Sequence, residues 1–332
     1  MNFRIFYSLL FMLLLLQPVY AANYVVRSTA DAGTHTLRWA ILQSNANPGP
    51  DIITFDISGD GPRIISLGSA LPPLSDPAGV IIDGLSQPHS GLGKHPPATM
   101  RLRIVIDGRR AGNTPGIWVH SPSNQVKGLV INNFAEEGIR IQAIKSGTRD
   151  NVIRHCIIGL DANGVTVRPN GGETLHTHWA GISIVSYSHA PGLAYDNLVF
   201  GNVISGNTGE GVLLSDCKGG RIYSNTISGN YIGSTLAGKA AAGNQRDGIL
   251  LMGGCYGNTL SGNMIVGNAG NGIHLVGDIT RNAKAHHNIV RNNVIGMTFD
   301  NKQLENALNG ISIGGPEPDY PGGFASDNTL RE

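Results

Sequence analysis

The sequence predicts an all-β chain wound as a parallel β-solenoid. Three observations predict it. A Gly-apolar-x-apolar phrase recurs seven times, at Gly116-Ile117-Trp118-Val119, Gly138-Ile139-Arg140-Ile141, Gly181-Ile182-Ser183-Ile184, Gly211-Val212-Leu213-Leu214, Gly248-Ile249-Leu250-Leu251, Gly272-Ile273-His274-Leu275 and Gly310-Ile311-Ser312-Ile313. A second phrase steps by 24 residues: Val80-Ile81-Ile82-Asp83-Gly84, then Ile104-Val105-Ile106-Asp107-Gly108, then Gly128-Leu129-Val130-Ile131-Asn132. Glycine takes 46 of 332 positions, while charged residues reach only 14% and aromatics 6%, so any core must be aliphatic and built from short strands.

The chain opens on Met1-Asn2-Phe3-Arg4, an apolar run from Ile5 to Leu16, and Val19-Tyr20-Ala21. That pattern reads as a secretory signal peptide over residues 1–21, cut after Ala21. The run is shorter than the roughly 20 residues that span a bilayer. The expected location is therefore secreted, periplasmic or cell-surface, with no membrane span.

Residues 22–75 read as an N-terminal cap. Tyr24-Val25-Val26 is a strand, Thr36–Gln43 a short helix with Leu37, Ala40 and Ile41 on one face, and Asn47-Pro48-Gly49-Pro50 its stop. Ile52–Phe55 and Ile64–Leu67 are further strands. Residues 76–332 read as coils.

Within a Gly-apolar-x-apolar phrase the two apolar residues face one way and x the other. Stacked coils, about 4.8 Å apart, then lay Ile, Val and Leu in inward columns. Glycine and asparagine are expected between strands because both tolerate positive φ. Connections alternate. Ile131 to Gly138, Ile204 to Gly211 and Ile265 to Gly272 are seven residues each. Ile158 to Gly181, Ile232 to Gly248 and Ile295 to Gly310 are long excursions, each opening on Ile-Gly. These loops are expected to leave one edge and stack there. The C-terminal coil from Asp327 has no visible cap, so a partner covering it is one expectation.

Three cysteines, Cys156, Cys217 and Cys255, form no disulfide framework; they read as one pair with a spare thiol or as small core residues. A formal charge of +1 carries no nucleic-acid footprint, and 41% apolar residues exclude a disordered chain.

The segments Thr36–Ile41 and Asn45–Phe55, the phrase Ile158–Gly164, and Asn202–Asn207 and Asn225–Asn230 resemble secreted bacterial proteins of the pectate-lyase-like superfamily. The resemblance spans about residues 23–332. It implies a right-handed parallel β-helix, in a group that holds polysaccharide lyases, hydrolases and epimerases beside proteins with no activity. The phrases of its enzyme branches are absent here: Asn-Thr-Asp with Gly-His-Gly and Arg-Ile-Lys, Asp-Pro-His, and Arg-x-Pro-x-x-Arg.

Candidate chemistry therefore rests on stacking. The residues before the seven phrases form a column containing Glu137, Ala180, Glu210, Asp247, Asn271 and Asn309. Glu210 and Asp247 fall on neighbouring coils. Carboxylates that close must share a proton, bind a cation or pair with Arg246. A shared proton suits general acid–base work on a glycosidic bond. A Ca²⁺ ion suits a lyase, with Asp216 as a further ligand. The outward x positions (Trp118, Arg140, Ser183, Leu213, Leu250, His274, Ser312) form a groove floor in which His274 can act as acid or base and Arg140 can bind substrate. The long loop ends in His176-Thr177-His178-Trp179, where the indole can stack on a sugar and the histidines can bind beside it or take a metal. The reading is a secreted β-helix that binds or acts on a polysaccharide or cell-surface glycan along a loop-flanked groove. The alternative is a non-catalytic adhesion or structural solenoid.

Overall fold

The structure, a computed structural model, describes residues 21–172, 179–187, 192–216, 221–315 and 323–331. Most of the proposed signal peptide, His176, His178 and Cys217 lie outside the described residues.

From Val80 to Ile313 each turn of the chain adds one strand to each of three long sheets, and every strand pairing in them is parallel. The first sheet has ten strands, from Asn23–Val26 through Val152–Arg154 to Thr329–Arg331. The second has eight, from Arg63–Ser66 to Val294–Ile295. The third has seven, from Ile117–Val119 to Ile311–Ile313, and carries the Gly-apolar-x-apolar phrases in order. This is a parallel β-helix. Its inward columns are aliphatic, as in Ile182, Val212, Ile249 and Ile273, all fully buried. Each such side chain contributes about 1.5–3 kcal/mol. Cys156 and Cys255 sit in the same core, and burial pushes the Cys156 thiol up to about 12.

At the N-terminal end, helix α1 (Leu37–Ala46) lies against the first two strands and buries Leu37, Ala40, Ile41 and Ser44. Thr36 caps it, its hydroxyl accepting from the Trp39 N–H at 3.2 Å. The strands Asn23–Val26, Asp51–Phe55 and Arg63–Ser66 continue the first and second sheets directly.

Two expectations about the repeat need correction. Val80–Asp83 lies in the first sheet and Ile104–Asp107 in the second, so the first 24-residue step crosses a corner instead of completing a coil. The true partner of Ile81 is Gln125, and that of Ile104 is Leu129. The phrase glycines and recurrent asparagines also serve a purpose other than positive φ. Positive φ is concentrated in other columns, such as Gly128, His155, Gly201, Gly229, Gly262 and Asn292, at 53° to 69°. In the phrase column, a Cβ on Gly211 would lie 2.6 Å from the Gly248 carbonyl oxygen of the next coil. Glycine there permits close coil stacking.

The asparagines form buried ladders. In one, Asn124, Asn151, Asn197, Asn225, Asn258 and Asn288 each donate their backbone N–H and side-chain Nδ2 to the Oδ1 of the next, at 2.8–3.1 Å, and Asn328 is the last acceptor. Others run from Asn202 to Asn293 and from Asn170 to Asn306. They satisfy the corner backbone where no sheet hydrogen bonds run.

The three excursions do stack at one corner. Each closes on a small antiparallel bridge, Leu160 with Val167, Ser234 with Ala241 and Met297 with Gln303. The Leu236 N–H donates to Gly164 O, and Lys302 Nζ to Lys239 O.

Candidate functional site

The outward x column of the third sheet is in the expected register: Trp118 pairs with Arg140, then Ser183, Leu213, Leu250, His274 and Ser312 follow. The column is not an open floor. Ser183, Leu213, Leu250 and His274 are buried, and Leu213 and Leu250 join a satellite apolar cluster with Val185, Met252 and Val276, against which Tyr187 packs.

The densest polar cluster sits at the N-terminal end of this face, around Arg140. Its Nη2 bonds Glu137 Oε2 at 2.5 Å and Glu136 Oε2 at 2.7 Å. The Ser183 hydroxyl donates to Glu137 Oε1 at 3.0 Å. The guanidinium lies 5.8 Å from the Trp118 ring centre and 5.9 Å from that of Tyr187. Trp118 Nε1 donates to Gln142 Oε1 at 3.2 Å, and His120 leans on the indole. Burial pushes the Glu137 carboxyl up; Arg140 and the Ser183 hydrogen bond pull it back. Of this cluster the sequence argument selected only Arg140. Glu136 and Glu137 stand four and three residues before it, a spacing that signals an ion pair, but Tyr187 reaches it only through the fold.

Glu210, Asp247 and His274 are brought near one another, yet each is buried: 1%, 4% and 3% exposed. Arg246 Nη1 lies 3.9 Å from Glu210 Oε1. Asp247 Oδ1 accepts from the Asn271 N–H and Nδ2, and Asn271 Oδ1 accepts in the same way from Asn309. Asp247 thus stands in an asparagine-ladder position as its terminal acceptor. Its Oδ2 is 3.3 Å from His274 Nδ1, while His274 Nε2 is 3.1 Å from Gly314 O. Both partners are acceptors, so the imidazole donates to both only when doubly protonated.

Asp216 does not join this group. It ends the strand that Glu210 begins, about 20 Å away at 3.3 Å per residue. Its Oδ2 accepts from the Arg221 N–H at 2.6 Å. A Ca²⁺ ion held jointly by Glu210, Asp247 and Asp216 is excluded by that separation. Among the described residues no group of three or more His, Cys, Asp or Glu side chains is arranged to hold a metal ion. Trp179 is half-buried, its carbonyl accepting from the Glu210 N–H at 3.1 Å. Among the described residues no helix is long and apolar enough to cross a membrane.

A family model described as "Right handed beta helix region" matches residues 175–317, and the chain is a right-handed parallel β-helix. No curated protein matches. Among solved structures, the chain is similar to Geobacillus virus E2 ORF18 at 14% identity and TM-score 0.45, over 94% of this chain and 63% of that one. It therefore spans less than two thirds of that protein's length. It is similar to an alginate lyase from Paenibacillus sp. str. FPU-7 at 16% identity and TM-score 0.36, over 87% and 99% of the two chains. It is also similar to the A-module of the mannuronan C-5 epimerase AlgE6 from Azotobacter vinelandii at 14% identity and TM-score 0.30, over 92% and 99%.

Proposed function

We propose that this β-helix is exported and binds or acts on a polysaccharide along the outer face of its third sheet, with the Arg140 cluster holding the glycan. The observation that carries the reading is the arrangement of Trp118 and Tyr187 about one buried guanidinium that Glu136 and Glu137 bind. Aromatic rings stack on sugar faces, and a guanidinium pairs with a sugar carboxylate. Asp247 and His274 extend the face. His274 is four coil steps from Arg140, about 19 Å, so the surface fits an extended chain better than one sugar. Glu210, Arg246 and Trp179 would line it between. Export rests on the Ile5–Leu16 run before Val19-Tyr20-Ala21.

Titration of tryptophan fluorescence with acidic and neutral oligosaccharides tests the reading. A saturable change with an acidic oligosaccharide, weakened at least tenfold in Trp118→Ala, is expected. Equal binding by the variant would remove the site.

A second reading, a non-catalytic solenoid, is favoured by Asp247. A carboxylate that ends an asparagine ladder, with both nitrogens of its neighbouring His274 engaged, fills a structural position.

A further inference from the structure

Far from the third-sheet face, a buried carboxylate sits against the peptide bond at which the export signal is expected to be cut. Asp51 opens the strand Asp51–Phe55 and is fully buried. The Ala22 N–H donates to its Oδ1 at 2.8 Å, and Ala22 O accepts from the Ile52 N–H at 2.8 Å, so Ala22 is held through both its backbone groups. Asn47, the C-cap of helix α1, donates its Nδ2 to the same Oδ1 at 2.8 Å. The first strand, the end of the helix and the second strand thus meet at one carboxylate.

That carboxylate has no cation. Asp51 is in no ion pair among the described residues, and its Oδ2 is buried with no hydrogen-bond partner. A buried carboxylate held only by neutral donors is costly. The C-terminal end of helix α1 beside it carries the helix's negative pole, where a cation is the favourable neighbour. Burial first, and the charge of Asp51 second, push the Tyr24 phenol up, so the uncompensated charge is felt across the strand.

The Ala22 nitrogen is where a cation can be made. While Ala21 is attached, that nitrogen is a neutral amide. Hydrolysis breaks the Ala21–Ala22 C–N bond. The oxygen of the water goes to the Ala21 carbonyl carbon, which leaves as a carboxylate, and its two hydrogens go to the nitrogen, which becomes an α-ammonium. An α-amine ordinarily titrates near 8, so the group is charged at neutral pH. The nitrogen already touches Asp51 Oδ1, so nothing has to enter the buried site. Ala21 is exposed, and its removal opens no hole in the core.

We propose that removal of residues 1–21 creates a buried ion pair between the Ala22 α-ammonium and Asp51, and that this pair locks the N-terminal end of the β-helix only in the processed protein. The inference rests on the export reading and adds to it a coupling between processing and stability.

The test uses chains whose first residue is set by a protease that leaves nothing behind. One begins at Ala22; the other carries a single glycine before Ala22, which moves the ammonium about 3.8 Å along the chain into the space the exposed Ala21 occupies. The chain beginning at Ala22 should melt about 3 °C or more above the extended one. Asp51→Asn, made in both lengths, should erase the difference. Should Asp51→Asn fail to fold, acetic anhydride at neutral pH carries the comparison: it should acylate the N-terminal amine at least tenfold more slowly in the Ala22 chain than in the extended chain. Equal melting of the two lengths, a difference that survives Asp51→Asn, or equal acylation would overturn the proposal. Sequencing the N-terminus of the protein exported by a bacterial host separates this inference from the reading beneath it. A first residue other than Ala22 would overturn both, whereas Ala22 with equal melting of the two lengths would overturn the ion pair alone.

Discussion

Replacing Gly211 with alanine should damage this protein, and replacing Gly310 should not, although both glycines open the same phrase. A Cβ on Gly211 would meet Gly248 O at 2.6 Å, Ile232 Cγ2 at 2.7 Å and Asn244 Nδ2 at 2.9 Å. Ordinary contact begins at 3.4 Å, so the Gly248 carbonyl would have to retreat by 3.4 − 2.6 = 0.8 Å. That carbonyl accepts the Val212 N–H at 2.9 Å, and it belongs to a coil locked by asparagine ladders. Overpacking of this kind costs about 1–3 kcal/mol, and loosening the inter-coil hydrogen bond adds roughly 1 kcal/mol. Alanine recovers about 0.5–1 kcal/mol through the unfolded chain. The net loss for Gly211→Ala is about 1–3.5 kcal/mol. At Gly310 the nearest atom to a new Cβ is Ile295 Cγ2 at 3.6 Å, and no carbonyl stands over it among the described residues. Gly310→Ala should therefore fall within about 0.5 kcal/mol of the parent. Urea unfolding followed by circular dichroism compares the two. Equal stability of Gly211→Ala and parent, or equal damage at both positions, would refute the stacking argument.

Three more substitutions follow from buried polar groups. Asn225→Ala removes the acceptor of the Asn197 N–H and Nδ2 and the donor to Asn258 Oδ1 and Ala194 O, and should cost about 3–5 kcal/mol in a denaturant titration. Arg140→Met leaves Glu137 buried without its cation and should cost about 3–5 kcal/mol at neutral pH. Burial holds the folded-state pKa of Glu137 above its unfolded value, so the penalty should be small below the unfolded pKa and grow as pH rises through the folded one. Adding Glu137→Gln should restore most of the loss, which thermal melts of the single and double variants would read. Burial, with Arg154 and Lys127 nearby, lowers the His155 pKa. The unfolded chain then binds the proton first, so stability should fall as pH drops below about 6.5 toward the folded pKa. His155→Gly, matching Gly128, Gly201 and Gly229 at the same left-handed turn, should remove that acid step from a pH series of unfolding midpoints.

The coils were legible because stacking repeats the same demand every turn. Inward Ile and Val columns, the alternation of tight and looped coils and the helix Leu37–Ala46 all leave periodic or local marks. What escaped was set by the neighbouring coil. The glycines before Ile139, Ile182 and Val212 look like conformational breakers in the sequence, yet each makes room for a carbonyl one coil on. Asp247 looks like half of an acid pair, but Asn271 and Asn309 make it a ladder terminus. The step from Val80 to Ile104 looks like one coil because two sheets carry similar strands in the same turn. The Arg140 cluster was half legible. Glu136, Glu137 and Arg140 are close in sequence, while Trp118 arrives from the coil before and Tyr187 from the strand after.

The central claim, a glycan held on the outer face of the third sheet, is tested most directly by a polysaccharide panel. Retention, new reducing ends and the ultraviolet absorbance of unsaturated uronate products would be read on acidic and neutral polymers, with and without Ca²⁺, for the parent protein and Trp118→Ala. The account predicts retention or product on an acidic polymer, lost in Trp118→Ala while the variant stays folded. No retention and no product on any polymer would contradict it and leave the non-catalytic solenoid standing.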